Sequence, residues 1–153
     1  MIHGHTVCLE FHSTYEMLDF VQVASDHLGR LAGLDDEALH WVGVAVRESV
    51  INAIKHGNAG DEGKRVCVEF TPIDTQRPAG IVIRVRDEGP GFDPEELPDP
   101  LAPENMLKSS GRGIFLIRSF MDELVLRRAP EGGMEVVMVK RVAAGEFLQN
   151  ANE

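Results

Sequence analysis

Three polar side chains recur at four-residue intervals in the stretch RESVINAIKHGN, residues 47–58, whose other members are largely apolar. One helical turn separates Glu48 from Asn52 and Asn52 from His56, so the three share one stripe of a helix. A carboxylate beside an amide oxygen suits Mg²⁺ already held by phosphates, or the carboxylate takes a proton from an attacking hydroxyl or water. Taken alone, the stripe fits a solvated helix face better, with His56 stabilised near the helix C-terminus by the dipole.

A carboxylate and two glycines follow the strand-like stretch in RVRDEGPGF, residues 84–92. Asp87 ends the strand, and Gly89 and Gly91 bracket Pro90, which allows positive φ and close approach of a ligand to the backbone. An ionised carboxylate only accepts hydrogen bonds, which suits an exocyclic amino group such as that of adenine. A strand-ending turn explains the same residues equally well.

Two further glycines, Gly111 and Gly113, lead into a predicted helix in SSGRGIF, residues 109–115. The free N–H groups and the dipole of a helix N-terminus attract anions, most often phosphate. A plain helix cap is the simpler explanation of this segment alone. The sequence contains neither GxxxxGK[ST] nor a GxGxxG after a first strand, so the two common nucleotide motifs do not apply.

Length and charge narrow the class of protein. The chain has 153 residues, enough for one domain, and its net charge of −10 argues against a general nucleic-acid or anionic-membrane surface. No apolar run approaches the roughly 20 residues of a membrane span, and the first residues do not resemble a signal peptide. We therefore expect a cytoplasmic protein.

Cys8 and Cys67 lie in strand-like segments without metal spacing, which favours free thiols and leaves a single disulfide open.

Periodicity and turn residues predict the elements in order. A strand over 6–11 precedes a helix that begins at Ser13 or Thr14, with Glu16 closing a capping box, and runs to about residue 32. A second helix starts at the N-cap Asp35 and stops at Gly57. Two strands (64–70 and 79–87), a long Gly- and Pro-rich connection, a helix over 112–121 and a hairpin (122–129 and 133–142) follow.

Because these strands are bunched rather than alternating with helices, the expected fold class is an α+β sandwich. The predicted sheet is mixed and mostly antiparallel, with about three helices covering one face. We assign one domain to residues 1–145 and a C-terminal tail to residues 146–153.

Taken in this order, the three segments resemble the N-box, G1 box and G2 box of the Bergerat-fold, histidine-kinase-like ATP-binding superfamily. The stretches ESVINAIKHGN, DEGPGFDP and GRGIFLIRSFMDEL resemble, more narrowly, the bacterial anti-sigma factor serine kinases. The resemblance covers nearly the whole chain and implies binding of ATP with Mg²⁺.

The resemblance also implies roles for individual residues. Asn52 matches the asparagine that coordinates Mg²⁺, and Glu48 matches the glutamate thought to act as general base on the target serine. Asp87 matches the aspartate that binds the adenine amino group, with Gly89 and Gly91 shaping that wall of the site.

The remaining matches concern the phosphates and the helix end. Gly111 and Gly113 match glycines whose backbone faces the phosphates. His56 and Gly57 match a pair that supports the helix end. Three cations are candidates for phosphate contacts: Lys55, Lys108 and Arg112.

The function that the resemblance implies is serine/threonine phosphotransfer to a small anti-sigma factor antagonist, joined to sequestration of a sigma factor, commonly by a homodimer. Residues 92–110 would form a lid. This segment is short, has four prolines and carries only Lys108 as a basic residue ahead of Gly111. The alternative is therefore an ATP-binding module that holds a regulatory partner without transferring phosphate.

Overall fold

The computed structural model describes residues 5–73, 79–91 and 117–142. Its five strands form one sheet in the order β1-β2-β3-β5-β4, and each neighbouring pair is antiparallel. The strands are β1 (Val7–His12), β2 (Arg65–Pro72), β3 (Gly80–Arg86), β4 (Glu123–Arg128) and β5 (Met134–Arg141). The central strand β3 therefore lies between β2 and β5. Asp87 directly follows the last residue of β3, so it lies in the middle of the row of strand ends on that side of the sheet.

Two helices connect the first two strands. A 3₁₀ turn (Tyr15–Met17) leads into α1 (Leu18–Leu31). Gly33 then turns the chain at φ 93°, and α2 (Asp36–Asn52) follows. Asp35 caps α2, as predicted, because its Oδ1 accepts a hydrogen bond of 2.7 Å from the Ala38 N–H. Residues 117–120 are also helical.

The core lies between these helices and one face of the sheet. The apolar side of α2 is buried as the sequence predicts: Leu39, Val42, Val46, Val50 and Ala53 are each at most 6 % exposed. Strand register stacks Val68, Val85 and Val136 across β2, β3 and β5 beneath the helices. The alternating side chains of β1 and β2, including Cys8 and Cys67, point to the opposite face.

The α+β fold class is confirmed, with two corrections of detail. The sheet was expected to be mixed, but every strand pair among the described residues is antiparallel. Of the two predicted caps, Ser13 and Thr14, the structure has Thr14, which accepts a hydrogen bond of 3.1 Å from the Glu16 N–H. The hydroxyl of Ser13 bonds to Asn58 instead, so the predicted capping box with Glu16 does not form.

The predicted helix over 112–121 is borne out at residues 117–120, and its earlier part lies outside the described residues, as do the lid (92–110) and the tail (146–153). Within the described ranges, no helix has the length and apolar character that crossing a bilayer requires.

Candidate functional site

Asp87 is fixed at the end of β3 by backbone hydrogen bonds. Its Oδ1 accepts from the N–H of Gly89 at 2.9 Å and from the N–H of Met134 at 3.1 Å. Its own N–H donates to the Met134 carbonyl at 3.1 Å, which extends the β3–β5 ladder by one residue. The side chain is only 6 % exposed. Oδ2 has no hydrogen-bond partner among the described residues, so this buried carboxylate keeps one acceptor atom for a ligand.

Three glycines pack around Asp87, and a side chain at any of these three positions would overlap a neighbouring atom. A Cβ at Gly57 would overlap Oδ2 and Cγ of Asp87, and one at Gly89 would overlap the carbonyl oxygen of Gly57. A Cβ at Gly133 would overlap the carbonyl oxygen of Asp87. The end of the second helical segment, the β3 end and the β4–β5 turn thus meet in direct backbone contact at one carboxylate.

The second helical segment ends at Gly57, as predicted. It passes beyond α2 into a π-helical turn (Ala53–Gly57), and Gly57 is the last residue of that turn. The left-handed residues come after it, at Ala59 (φ 52°) and Gly60 (φ 71°). Glycine is required at position 57 by close packing on Asp87 and Gly89 rather than by a left-handed conformation.

Asn58 is fully buried and joins four segments. Its Nδ2 donates to the Arg65 carbonyl at 3.0 Å and to Ser13 Oγ at 3.3 Å. Its Oδ1 accepts from the Glu88 N–H at 2.8 Å, and the Glu88 carboxylate accepts from the Arg65 N–H at 2.5 Å. Asn58 therefore locks the helix end to the ends of β1, β2 and β3, and it fixes the backbone on both sides of Gly57 and Asp87.

The polar stripe lies on the side of the helix away from the sheet. Glu48 and Asn52 are half-buried, and neither side chain has a hydrogen-bond partner within the described part of the chain. His56, in the π-helical turn, is exposed, as is Lys55. A carboxylate and an amide one turn apart, without partners among the described residues, are available to a ligand. This donor set suits Mg²⁺, which prefers oxygen ligands.

The helical residues that follow the third glycine segment dock onto α2 through aromatic stacking. The rings of Trp41 and Phe120 lie 3.6 Å apart between centroids and are inclined by 8°. Ile117 is 2 % exposed and belongs to the core. Trp41 precedes Glu48 by two helical turns and lies on the same side of α2. This contact brings residues 117–120 to the side of α2 that carries the stripe.

Of the remaining predicted site residues, Gly91 is described by the structure and four others are not. Gly91 adopts φ 71° and lies against the side chain of Arg128, so that a Cβ there would be 3.3 Å from Nε of that arginine. The four others lie outside the described residues: Lys108, Gly111, Arg112 and Gly113.

Sequence reasoning missed Asn58, Gly133 and Met134. Asn58 follows His56–Gly57 at the end of the helix, and no local signal marks it as a buried residue. The contribution of Met134 is made by its backbone, which carries no signature in the sequence. The pair Gly132–Gly133 was assigned only to a hairpin turn, and both residues do have positive φ, 96° and 82°.

An antiparallel sheet that is covered by helices on one face and has a buried carboxylate at the end of its central strand matches one known class of ATP-binding domain. A family model described as the histidine kinase-like ATPase domain matches residues 13–140. A crystal structure of the RsbU and RsbW domains of a Mycobacterium tuberculosis protein shares the fold with a TM-score of 0.62. It is 16 % identical, and the match covers 90 % of this chain and 32 % of that one.

Curated relatives are similar along nearly their full length. The serine-protein kinase RsbW of Listeria monocytogenes is 26 % identical over 151 residues, covering 95 % of this chain and 92 % of that protein. The anti-sigma F factor of Oceanobacillus iheyensis is 34 % identical over 147 residues, covering 93 % and 96 %. The anti-sigma F factor of Clostridium perfringens is 34 % identical over 140 residues, covering 88 % and 94 %. The chain belongs to the histidine kinase-like ATPase family, within its group of anti-sigma factor kinases.

Proposed function

We propose that the protein is an ATP-dependent serine/threonine protein kinase that acts as an anti-sigma regulatory factor. It transfers the γ-phosphate of ATP to a hydroxyl of a small anti-sigma factor antagonist, and it holds a sigma factor when the antagonist does not compete. The observation that carries this proposal is the packing of Gly57 and Gly89 around Asp87, which leaves one carboxylate oxygen for an adenine amino group.

Each candidate site residue has a distinct proposed role in the reaction. Asp87 accepts a hydrogen bond from the adenine amino group, and Gly91 provides a wall without a side chain. The amide oxygen of Asn52 is the proposed Mg²⁺ ligand, and the bound ion would neutralise charge on the phosphates. Glu48, one turn away and without a hydrogen-bond partner in the described part of the chain, accepts the proton of the attacking hydroxyl. Positioning and charge neutralisation supply most of the rate in such transfers.

The proposed phosphate contacts rest on the sequence alone. The backbone of Gly111 and Gly113 faces the phosphates, with Arg112, Lys108 and the exposed Lys55 as cations. We also propose that the protein acts in the cytoplasm as a homodimer, in line with the sigma-factor regulation that its relatives' names indicate.

A phosphotransfer assay with radiolabelled ATP and a small anti-sigma factor antagonist from the same organism tests the proposal. Wild type should label a serine or threonine of the antagonist. Glu48→Gln should bind ATP normally and lose transfer, and Asn52→Ala should lose Mg·ATP binding while remaining folded. The matched control is Glu37→Gln, at an exposed position in the first turn of α2, which should behave as wild type.

Two outcomes would contradict the proposal in different ways. If wild type binds ATP and the antagonist but transfers no phosphate, the protein is a binding module. If Asn52→Ala binds Mg·ATP with undiminished affinity, the assigned site is wrong.

A further inference from the structure

The two cysteines lie side by side on the sheet face that the helices do not cover. Cys8 is in the edge strand β1 and Cys67 in its neighbour β2, and their Sγ atoms are 3.1 Å apart. The register pairs Cys8 with Glu69 and Glu10 with Cys67, so the cysteines are diagonal neighbours on one face. Cys8 is exposed, whereas Cys67 is 9 % exposed.

We propose that Cys8 and Cys67 form an oxidation site that reacts with a hydroperoxide, such as hydrogen peroxide, and closes to a reversible intramolecular disulfide. The Cys8 thiolate attacks one peroxide oxygen, the O–O bond breaks, and Cys8 sulfenic acid and hydroxide form, the hydroxide becoming water on protonation. The sulfur of Cys67 then attacks the sulfenic sulfur, loses its proton and displaces a second water. Two thiols and one peroxide thus give one disulfide and two waters. This inference is independent of the proposed kinase activity.

The difference in exposure sets the order of these steps. Cys8 is the only one of the two sulfurs that solvent reaches freely, so it meets the oxidant first. Burial raises the pKa of the Cys67 thiol to about 12, and its hydrogen bond to Cys8 adds to that shift. Cys67 therefore remains a protonated, protected thiol until Cys8 has been oxidised. The conversion of Cys8 to a neutral sulfenic acid removes its negative charge from beside Cys67, which favours ionisation of Cys67.

The strands provide the small movement that bond formation needs. The sulfurs must approach by about 1 Å to reach a disulfide length of about 2.05 Å. Right-handed sheet twist brings one diagonal of an antiparallel pair closer. Among the described strands, β1 pairs only with β2, so it can shift without disturbing a second described strand.

A metal ion is the competing occupant of the same sulfurs. The donor atoms of Cys8, Cys67 and Glu69 lie within 4.8 Å of one another. However, Arg86 lies directly opposite Cys67 in the register, and the charge of its guanidinium acts to lower the pKa of that cysteine, against the larger effect of burial. A guanidinium at this position opposes a cation and supports a thiolate, which favours disulfide chemistry.

The cross-link would connect residues that are 59 positions apart. The enclosed segment contains α1 and α2, and therefore Glu48 and Asn52. Because closing a loop of this size removes much conformational freedom from the unfolded chain, we expect the disulfide to raise Tm by about 5–15 °C. Oxidation would thus stabilise the segment that carries the candidate catalytic residues.

The test treats the reduced full-length protein with stoichiometric hydrogen peroxide and follows thiols, mass and Tm. Wild type should lose both titratable thiols and the mass of two hydrogen atoms without forming a disulfide between two chains. Its Tm should rise, and dithiothreitol should reverse all three changes. Cys67→Ser, with Cys67→Val as a second variant suited to a buried position, should accumulate Cys8 sulfenic acid that dimedone traps. In Cys8→Ser, Cys67 should stay unmodified.

Several results would overturn the proposal. One is a wild-type protein that retains both thiols or accumulates Cys8 sulfinic acid without a disulfide. Another is a cross-link between two chains in place of the internal one. Stoichiometric Zn²⁺ binding that protects both cysteines from iodoacetamide in the wild type would assign the pair to a metal.

Discussion

The Cα of Gly57 packs directly against the carboxylate of Asp87, and a Cβ at position 57 would overlap both Oδ2 and Cγ of that side chain. The Asp87 side chain cannot move away from Gly57, because its Oδ1 already accepts hydrogen bonds from the N–H groups of Gly89 and Met134. Gly57 therefore positions the one carboxylate oxygen that is left for a ligand. The glycine after His56 is part of the proposed nucleotide site through its missing side chain.

Gly57→Ala should weaken ATP binding by about 1–3 kcal/mol, because the added methyl group displaces a carboxylate that makes a charged hydrogen bond. Isothermal titration calorimetry measures this change. The matched control is Gly43→Ala in α2, where the new Cβ would be 3.1 Å from the amide nitrogen of Gln22, the end of a flexible side chain. Equal ATP affinity in Gly57→Ala and wild type would show that Gly57 does not position Asp87 for ATP binding.

Asp87→Asn should keep the fold and alter recognition of the base. The asparagine Oδ1 can still accept both backbone N–H groups, but a donor replaces Oδ2. We expect ATP affinity to fall by about 1–3 kcal/mol, and preference to shift toward inosine triphosphate, which presents a carbonyl oxygen in place of the amino group. Competition between the two nucleotides measures the shift.

The control for Asp87→Asn is Asp61→Asn. Asp61 also accepts a hydrogen bond from the N–H two residues on, at 2.9 Å from Gly63, but it is exposed. An unchanged ratio of ATP to inosine triphosphate affinity in Asp87→Asn would show that this carboxylate does not read the base.

Asn58→Ala should lower the free energy of unfolding by about 3 kcal/mol, since the buried amide makes three hydrogen bonds and each loss costs roughly 1–3 kcal/mol where the partner group is shielded from water. The affected groups include the Glu88 N–H and the Arg65 carbonyl. Urea denaturation measures the change. Ser13→Ala removes only the 3.3 Å contact and should cost less than a third as much. Similar losses in the two variants would mean that Asn58 does not hold these strand ends together.

The turn after Asn58 offers a pair of substitutions with opposite effects. Ala59 has φ 52°, a conformation that costs a residue with a Cβ roughly 1–2 kcal/mol, so Ala59→Gly should stabilise the fold by up to about 1 kcal/mol. Gly60 has φ 71°, and a Cβ there would touch nothing within 4 Å. Gly60→Ala should therefore destabilise by about 1 kcal/mol through backbone strain alone. Thermal unfolding of both variants checks the signs, and shifts in the same direction would contradict the assigned turn.

Features that depend on local sequence were predictable. The alternation in β2 and β3, the N-cap Asp35 and the hairpin around residues 130–133 follow from side-chain periodicity and turn chemistry, and the structure has them all. Glu48 and Asn52 could be paired from their spacing, because a helix fixes the relation between residues four positions apart.

Features that arise between distant segments were not predictable in the same way. Nothing around Gly57 indicates that it must lie against Asp87, so its glycine was attributed to a helix stop. The choice between Ser13 and Thr14 as the helix cap could not be made from local sequence, because the contact of Ser13 with Asn58 spans 45 positions. The π-helical turn that carries His56 likewise depends on how the helix end docks.

The way Asp87 is held also has a consequence for the life of the protein in the cell. Its carboxylate meets Met134, 47 positions further along the chain, and Gly57, which belongs to a different part of the fold. A partly folded chain therefore has no complete pocket, and a nucleotide bound there would favour only the completed domain. Ligand at a hundred times its Kd would add about 2.7 kcal/mol to global stability. Nucleotide supply would then set how often the chain opens to proteases, and with it how long each molecule survives.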